Sequence, residues 1–306
     1  MIKKNREFTG KKKEVSARQW VMENGPQFMI IGAAKSGTTT LYSYLDNHPD
    51  LYLSKKKEPE FFSEPNKYEL GYEWYKNQFI SAPIKSIKGE ASTTYSRWPH
   101  TLDSPKLIYE NSRVNKFIYI MRDPVERAYS HYAHMMRTGV TMSFEEALKK
   151  HDILFDTGNY YMQLERYLQY FSIDDFLFLT LEQFKLAPER ELSRILTHIN
   201  ASPFDFAIDQ VERCNKRGND YYLRYLTIEK WKKNAYFLKL LPIFPRKLRD
   251  CIFQAMKKSL YGKKLISDYK LDPMKAETKL ELRNQYKELN NKLTELTGVD
   301  ISVWGE

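Results

Sequence analysis

Nine consecutive residues, Gly32-Ala-Ala-Lys35-Ser36-Gly37-Thr38-Thr39-Thr40, place two glycines, a lysine and a run of hydroxyls directly after the apolar stretch Phe28 to Ile31. Glycines let the backbone turn with its N–H groups pointing inward, a following helix adds positive partial charge at its N-terminus, and the threonines add hydroxyl donors. That combination is an anion cradle, and a phosphate is its natural guest. Its spelling departs from G-x-x-x-x-G-K-[ST], in which lysine follows the second glycine. Here Thr38 holds that place and the lysine sits three residues earlier, at Lys35. A lysine so placed reaches the bridging side of a single 5′-phosphate while the Thr38 to Thr40 amides and hydroxyls hold its free oxygens. The competing structural reading is a glycine-rich turn ahead of an ordinary helix.

Three further segments have functional spelling. Lys57-Glu58-Pro-Glu60-Phe61-Phe62 presents two carboxylates beside two large rings. Arg122-Asp123-Pro-Val-Glu126-Arg127-Ala-Tyr-Ser130-His-Tyr follows the apolar run Phe117 to Met121, and Gly158-Asn-Tyr160 precedes Glu165-Arg166-Tyr167. With the glycine loop, these segments resemble, in order and spacing, the sulfotransferases that use 3′-phosphoadenosine 5′-phosphosulfate (PAPS), in particular the carbohydrate-acting and bacterial branches. The likeness spans residues 28 to about 200 and, more weakly, Leu296 to Trp304. It implies an α/β fold: three layers, α/β/α, around a central parallel sheet of the P-loop NTPase-like kind, with a C-terminal helical extension.

The resemblance implies roles residue by residue. Lys35, Ser36, Gly37, Thr38, Thr39 and Thr40 would hold the 5′-phosphosulfate, Lys35 also stabilising charge on the leaving phosphate. Arg122 and Ser130 would take the 3′-phosphate, the arginine fork holding two oxygens at once. Arg127 ranks below them because it can pair with Glu126 or Asp123. Arg217, in Lys216-Arg217-Gly218, stands where the family has a late basic loop over the nucleotide. Glu58 matches the glutamate that takes the acceptor's proton; Glu60 competes with it, and His134 is an alternative base or orienting group. Phe61 and Phe62 would desolvate Glu58 and nearby lysines would counter them. Glu90-Ala91-Ser-Thr-Thr-Tyr95 resembles a segment near the acceptor, with Ala91 where some glycan-acting members carry lysine. The product would be adenosine 3′,5′-bisphosphate (PAP), and the acceptor a glycan, a glycolipid or a small alcohol.

Two rival readings remain. One is a kinase or NTPase using Mg-ATP, with Phe117 to Asp123 as the magnesium-bearing strand; against it stand the displaced lysine and Arg122. The other is a basic adaptor without catalysis, drawn from the charge of residues 230–264.

Those 35 residues hold eleven lysines and arginines against one acid, Asp250, so they alone account for the net charge of +10 of all 306 residues. Apolar and aromatic residues lie between the charges, broken at Pro242 and Pro245, which reads as basic amphipathic helices. The segment is either a solvated helical hairpin or a contact for a polyanionic acceptor or an anionic membrane surface. No nucleic-acid-binding module accompanies it. Cys214 and Cys251 lack neighbours at metal-ligand spacing, so two free thiols and no metal are expected. The first 25 residues are basic without a signal-like apolar core, and no stretch spans a membrane. A cytoplasmic protein is expected, with peripheral contact at the inner membrane surface open to it. Because eukaryotic Golgi members of the family it resembles carry an N-terminal anchor, the resemblance implies a bacterial enzyme or an excised catalytic domain.

The elements positioning these groups alternate strand and helix. Strands are predicted at 28–31, 87–90, 117–121 and 176–180. Helices are predicted at 38–48, 68–79, 124–136, 143–150, 159–170 and 188–200, and a charged helix pair at 272–297. Residues 1–24 read as a frayed basic arm, residues 49–63 as a functional loop, and residues 25–306 as one domain. Such alternation gives a parallel sheet with ligands at the strand C-termini, where the glycine loop and Arg122 fall.

Overall fold

The computed structural model describes residues 2–137, 142–208 and 272–305. Five parallel strands form one sheet: β1 (Phe28–Gly32), β2 (Leu51–Leu53), β3 (Ile87–Ala91), β4 (Phe117–Met121) and β5 (Phe176–Thr180). Their spatial order is β2-β3-β1-β4-β5. β1 pairs with β3 on one side and with β4 on the other; the connection leaving β1 runs toward the β2 edge and the one leaving β4 runs toward β5, so these two part in opposite directions. Between the C-terminal ends of β1 and β4 lies the crevice that such a reversal opens.

Every residue of β1 and β4 is buried, as expected of strands covered on both faces. Alternation sorts their side chains. Met29, Ile31, Phe117, Tyr119 and Met121 face one layer, with Phe61, Phe62, Tyr75, Tyr160 and Tyr167. Phe28, Ile30, Ile118 and Ile120 face the other, against α2 (Thr38–Leu45) and a later helix, Pro188–His198. A third cluster joins Val125, Ala128 and Tyr132 to Leu282 and Tyr286, anchoring the C-terminal helix Ala276–Thr297 on the helix after β4.

Several elements depart from the sequence expectation. Residues 2–24 form a helix, α1 (Ile2–Asn24), rather than a frayed arm. Ala17 and Val21, one turn apart, are buried, and the Glu14 carboxylate accepts from the Tyr72 amide in the first turn of Gly71–Lys76. The 68–79 stretch is split into α3 (Pro65–Tyr68) and α4 (Gly71–Lys76), because Gly71 takes φ 77° between them. β2 lies within the stretch expected to be loop, and α5 (Ser104–Asn111) was not anticipated.

Past β4 come α6 (Pro124–Arg137), α7 (Phe144–Lys150), α8 (Ile153–Asp156) and α9 (Tyr160–Tyr167). After β5 follow α10 (Leu181–Leu186) and α11 (Pro188–His198). The expected C-terminal pair is one helix, α12 (Ala276–Thr297), ended by Gly298 at φ 66°. Segment 230–264, Arg217 and both cysteines lie outside the described residues. Among the described residues, no helix is long and apolar enough to cross a membrane.

Candidate active site

The glycine loop leaves β1 and enters α2. Its first amide, of Ala33, donates to the Ile120 carbonyl of β4 at 2.7 Å, which fixes the loop over the crevice. Gly37 precedes α2 at φ 88°, and a Cβ there would lie 2.6 Å from Leu181 Cδ1. Position 37 therefore needs glycine for its backbone angle and for its packing. No side chain caps α2, so its first amides and positive dipole end are presented to a ligand. The buried Ser36 hydroxyl makes no well-formed hydrogen bond, the Tyr160 hydroxyl being its polar neighbour. An uncapped helix start and a neighbouring ammonium fit an anionic phosphoryl group.

The opposite wall is the 57–60 loop. The Glu58 amide donates to the Ala91 carbonyl at the end of β3 (3.0 Å), and the Glu60 amide donates to Ser92 Oγ (3.0 Å). Lys57 Nζ joins the walls, at 2.8 Å from Glu58 Oε1 and 3.0 Å from Thr39 Oγ1. Phe61 and Phe62 are fully buried, Phe61 stacking on Tyr75 at 4.5 Å. They pin the loop into the core instead of desolvating Glu58, whose side chain stays 31% exposed. Lys35 (φ 72°), Glu58 (φ 58°) and Glu60 (φ 59°) all adopt the left-handed region. For residues with a Cβ this costs on the order of 1–2 kcal/mol each. Such strain concentrates where a fold holds reactive groups against their local preference.

Between the walls is a cleft of about 390 Å³. Lys35, Gly37, Thr38 and Thr39 line one side, Glu58 and Arg97 another, His131 and His134 a third. The structure thus brings together both ends of the predicted chemistry, Lys35 and Glu58, with His134. Ser36 is buried at the loop, and Thr40 lies in the first turn of α2 away from the cleft lining. Glu60 is half-buried, and burial together with the charges of Glu58 and Glu64 raises its pKa from the ordinary carboxylate value.

Arg122 and Ser130 do not line this cleft. Arg122 ends β4, its backbone clasped by Tyr160, whose hydroxyl donates to the Arg122 carbonyl at 2.7 Å and accepts from its amide at 3.3 Å. Its guanidinium lies 3.8 Å from Glu126, and Arg122, Glu126, Ser130 and His134 succeed one another at intervals of four, along one stripe running from the strand end down α6.

Arg127 has other partners than the Glu126 or Asp123 expected. It is fully buried, donates to the Leu154 carbonyl and sits with Nη1 3.4 Å from His131 Nδ1. A Cβ at position 158 would lie 2.6 Å from the Tyr286 hydroxyl and 3.2 Å from Arg127 Nε, which explains Gly158. Arg166 is structural too, bound to Asp103 at 2.7 Å and stacked over Trp98. Asp123, the magnesium candidate of the kinase reading, accepts from the Val125 and Glu126 amides at the start of α6 and is occupied as a helix cap. Among the described residues no group of three or more His, Cys, Asp or Glu is placed to hold a metal.

Sequence reasoning missed two cleft residues. Burial and the cations Arg127 and Arg97 push the His131 pKa down to about 3, so its ring is neutral. With Nδ1 beside an arginine donor, the proton belongs on Nε2. Arg97, two residues past Tyr95, was not singled out because nothing in its local spelling marks it. Beneath the cleft, the fully buried Glu90 carboxyl finds no well-formed hydrogen bond, although the Tyr75 and Tyr95 hydroxyls are its neighbours. Burial raises its pKa to about 7.

A family model described as the sulfotransferase domain matches residues 25–236. Heparan sulfate glucosamine 3-O-sulfotransferase 6 of Homo sapiens is 32% identical over 179 residues, 56% of this chain and 51% of the human protein. Bifunctional heparan sulfate N-deacetylase/N-sulfotransferase 4 of Mus musculus is 26% identical over 213 residues, 62% of this chain and 24% of the mouse protein. The chain thus aligns with about half of the first relative and a quarter of the second. A crystal structure of a sulfotransferase from Alicyclobacillus acidocaldarius superposes with a TM-score of 0.65 at 22% identity, covering 92% of this chain and 99% of that one, and so shares the fold.

Proposed function

Because the chain belongs to the sulfotransferase family, we propose that its cleft moves a sulfuryl group from PAPS to a hydroxyl or amine of a glycan or glycolipid, by in-line displacement. The observation that carries this reading is the placement of Lys35 and Glu58 on facing walls of one cleft, with Lys57 tying Glu58 to Thr39. PAPS would supply the sulfuryl group on a phosphate leaving group. The chain's own residues then have three tasks. Lys35, Thr38, Thr39 and the uncapped start of α2 hold the 5′-phosphate and neutralise the charge that grows on it. Glu58 accepts the acceptor's proton as the new bond to sulfur forms. His134, on α6, orients the acceptor. Arg122 and Ser130, on one stripe, take the 3′-phosphate and thereby select PAPS over ATP. The glycan class is supported by the heparan sulfate relatives.

Calorimetric titration with PAP and with Mg-ATP tests the reading. Micromolar binding of PAP is expected; binding of Mg-ATP with none of PAP overturns it in favour of a kinase. We also infer that segment 230–264 contacts a polyanionic acceptor or an anionic leaflet. Replacing four of its lysines by glutamine should weaken acceptor KM or liposome co-sedimentation, and an unchanged pair of values refutes that contact.

A further inference from the structure

Arg97 stands just beyond the short 3₁₀ turn that follows β3 and lines the cleft on the Glu58 side. Its Nε is buried without a hydrogen-bond partner, and among the described residues no carboxylate comes within 4 Å of its guanidinium. Glu58, Glu60 and Glu64 lie close enough for their charge to act on it, and burial lowers its pKa from the ordinary arginine value. The neighbouring guanidiniums of Arg127 and Arg166 share the unpaired Nε but are held through their other nitrogens. Arg127 holds the Leu154 carbonyl, and Arg166 holds Asp103 over the Trp98 ring. Arg97 therefore brings a desolvated planar fork of donors into the cleft without a direct ion pair, the charges of Glu58, Glu60 and Glu64 acting on it only from beyond contact distance. The group that fits such an open fork is an oxoanion, held by two parallel charge-assisted hydrogen bonds.

The phosphate cradle belongs to the other wall, at Lys35, Thr38 and Thr39, so the group facing Arg97 is a second anion beside the proposed base. We propose that Arg97 is the receptor of that second oxoanion, a carboxylate, sulfate or sulfonate adjacent to the reacting hydroxyl. Two sources share this chemistry: an acid group on the acceptor, and the sulfonate being transferred. The inference rests on the proposed function and deepens it, since the first source makes the enzyme selective for acceptors that are already anionic next to the target hydroxyl.

Phenylglyoxal labelling of wild-type protein, with the Arg97 peptide quantified by mass spectrometry, tests this without knowledge of the acceptor. Methyl sulfate, added to free and to PAP-saturated protein, should slow labelling at Arg97 by about tenfold relative to an equal concentration of methanol. Equal labelling rates in methyl sulfate and methanol overturn the proposal. PAPS alone, without acceptor, separates the sources: protection by PAPS but not by PAP assigns the anion to the donor, whereas protection of PAPS-filled protein only on adding methyl sulfate assigns it to the acceptor. Arg97→Met should then raise KM about tenfold for a heparan oligosaccharide relative to its carboxyl-reduced, desulfated form if the acceptor is the source, or lower kcat for both alike if the donor is. Arg97→Lys should restore part of either loss, and no change in KM or kcat again overturns the proposal. Failure of PAP to bind wild-type protein would strike the proposed function, while the methyl sulfate result still decides the anion site.

Discussion

The two walls of the cleft are built by different means. The wall proposed to hold the donor is mostly backbone: a glycine loop pinned to β4 through Ala33, a left-handed Gly37 and the uncapped start of α2. The wall proposed to face the acceptor is mostly side chain, assembled from the 57–60 loop, the turn after β3 and one turn of α6. A backbone cradle suits a ligand part that never varies, and a side-chain wall can be retuned without disturbing the sheet. The comparison predicts that damage to the first wall costs both binding and rate, and damage to the second costs rate or acceptor selectivity alone.

Lys35→Ala is the largest test. It should lower kcat by about 10³-fold, within the range for losing a group that meets developing charge, and weaken PAP binding measurably by calorimetry. If Glu58 is the proposed general base, Glu58→Gln should lower kcat by about 10²-fold or more and leave the PAP dissociation constant within about twofold, since such a base contributes about 10²–10⁴ to rate and nothing to product binding. If Glu58→Gln weakened PAP as much as Lys35→Ala does, the division between the walls would be wrong.

Gly37→Ala sharpens the donor side. The added methyl meets Leu181 Cδ1 and the residue must keep φ 88°, so a loss of about 2–3 kcal/mol in unfolding free energy is expected in urea titrations, with weaker PAP binding beyond that loss. A stability change without a change in PAP affinity would show that the loop is packing alone.

The same division explains what could be read from the chain in advance. β1 and β4 are fully buried, so their unbroken apolar runs announce them, and the loop between β1 and α2 is contiguous in sequence. Lys35 and Glu58 were legible because each sits in a local motif. β2 was not, being three residues long and buried at only one of them, within a stretch rich in charge. The sequence expectation of a helix pair meets a single helix, α12, whose few buried positions, Thr278, Leu282, Tyr286 and Leu293, leave a long, mostly charged surface with little apolar pattern to mark its extent. Arg97 and His131 escaped because the cleft meets them through segments some forty and seventy residues beyond Glu58, a proximity that only the crossovers of the sheet create. His131 did carry one local sign: Arg127 stands four residues before it on α6, at the spacing that brings helical neighbours together.

The smallest expected effect lies below both walls, at Glu90. Its carboxyl is raised from 4.5 to about 7 by burial, so the folded protein keeps a proton there that the unfolded chain releases between those values. The folded state binds more protons across that window, and stability falls as pH rises through it, by at most about 1.4 kcal/mol per unit. His131 acts in the opposite sense. With its pKa down from 6.5 to about 3, it costs stability as pH falls through that interval, so the wild-type profile is a difference of two trends. Glu90→Gln removes only the first. Urea unfolding at several pH values should show the variant gaining on wild type between pH 5 and 7 and holding a constant margin above about pH 7. A margin that does not change with pH would mean that Glu90 is already ionised in the fold, and that the Tyr75 and Tyr95 hydroxyls stabilise its charge better than their geometry indicates.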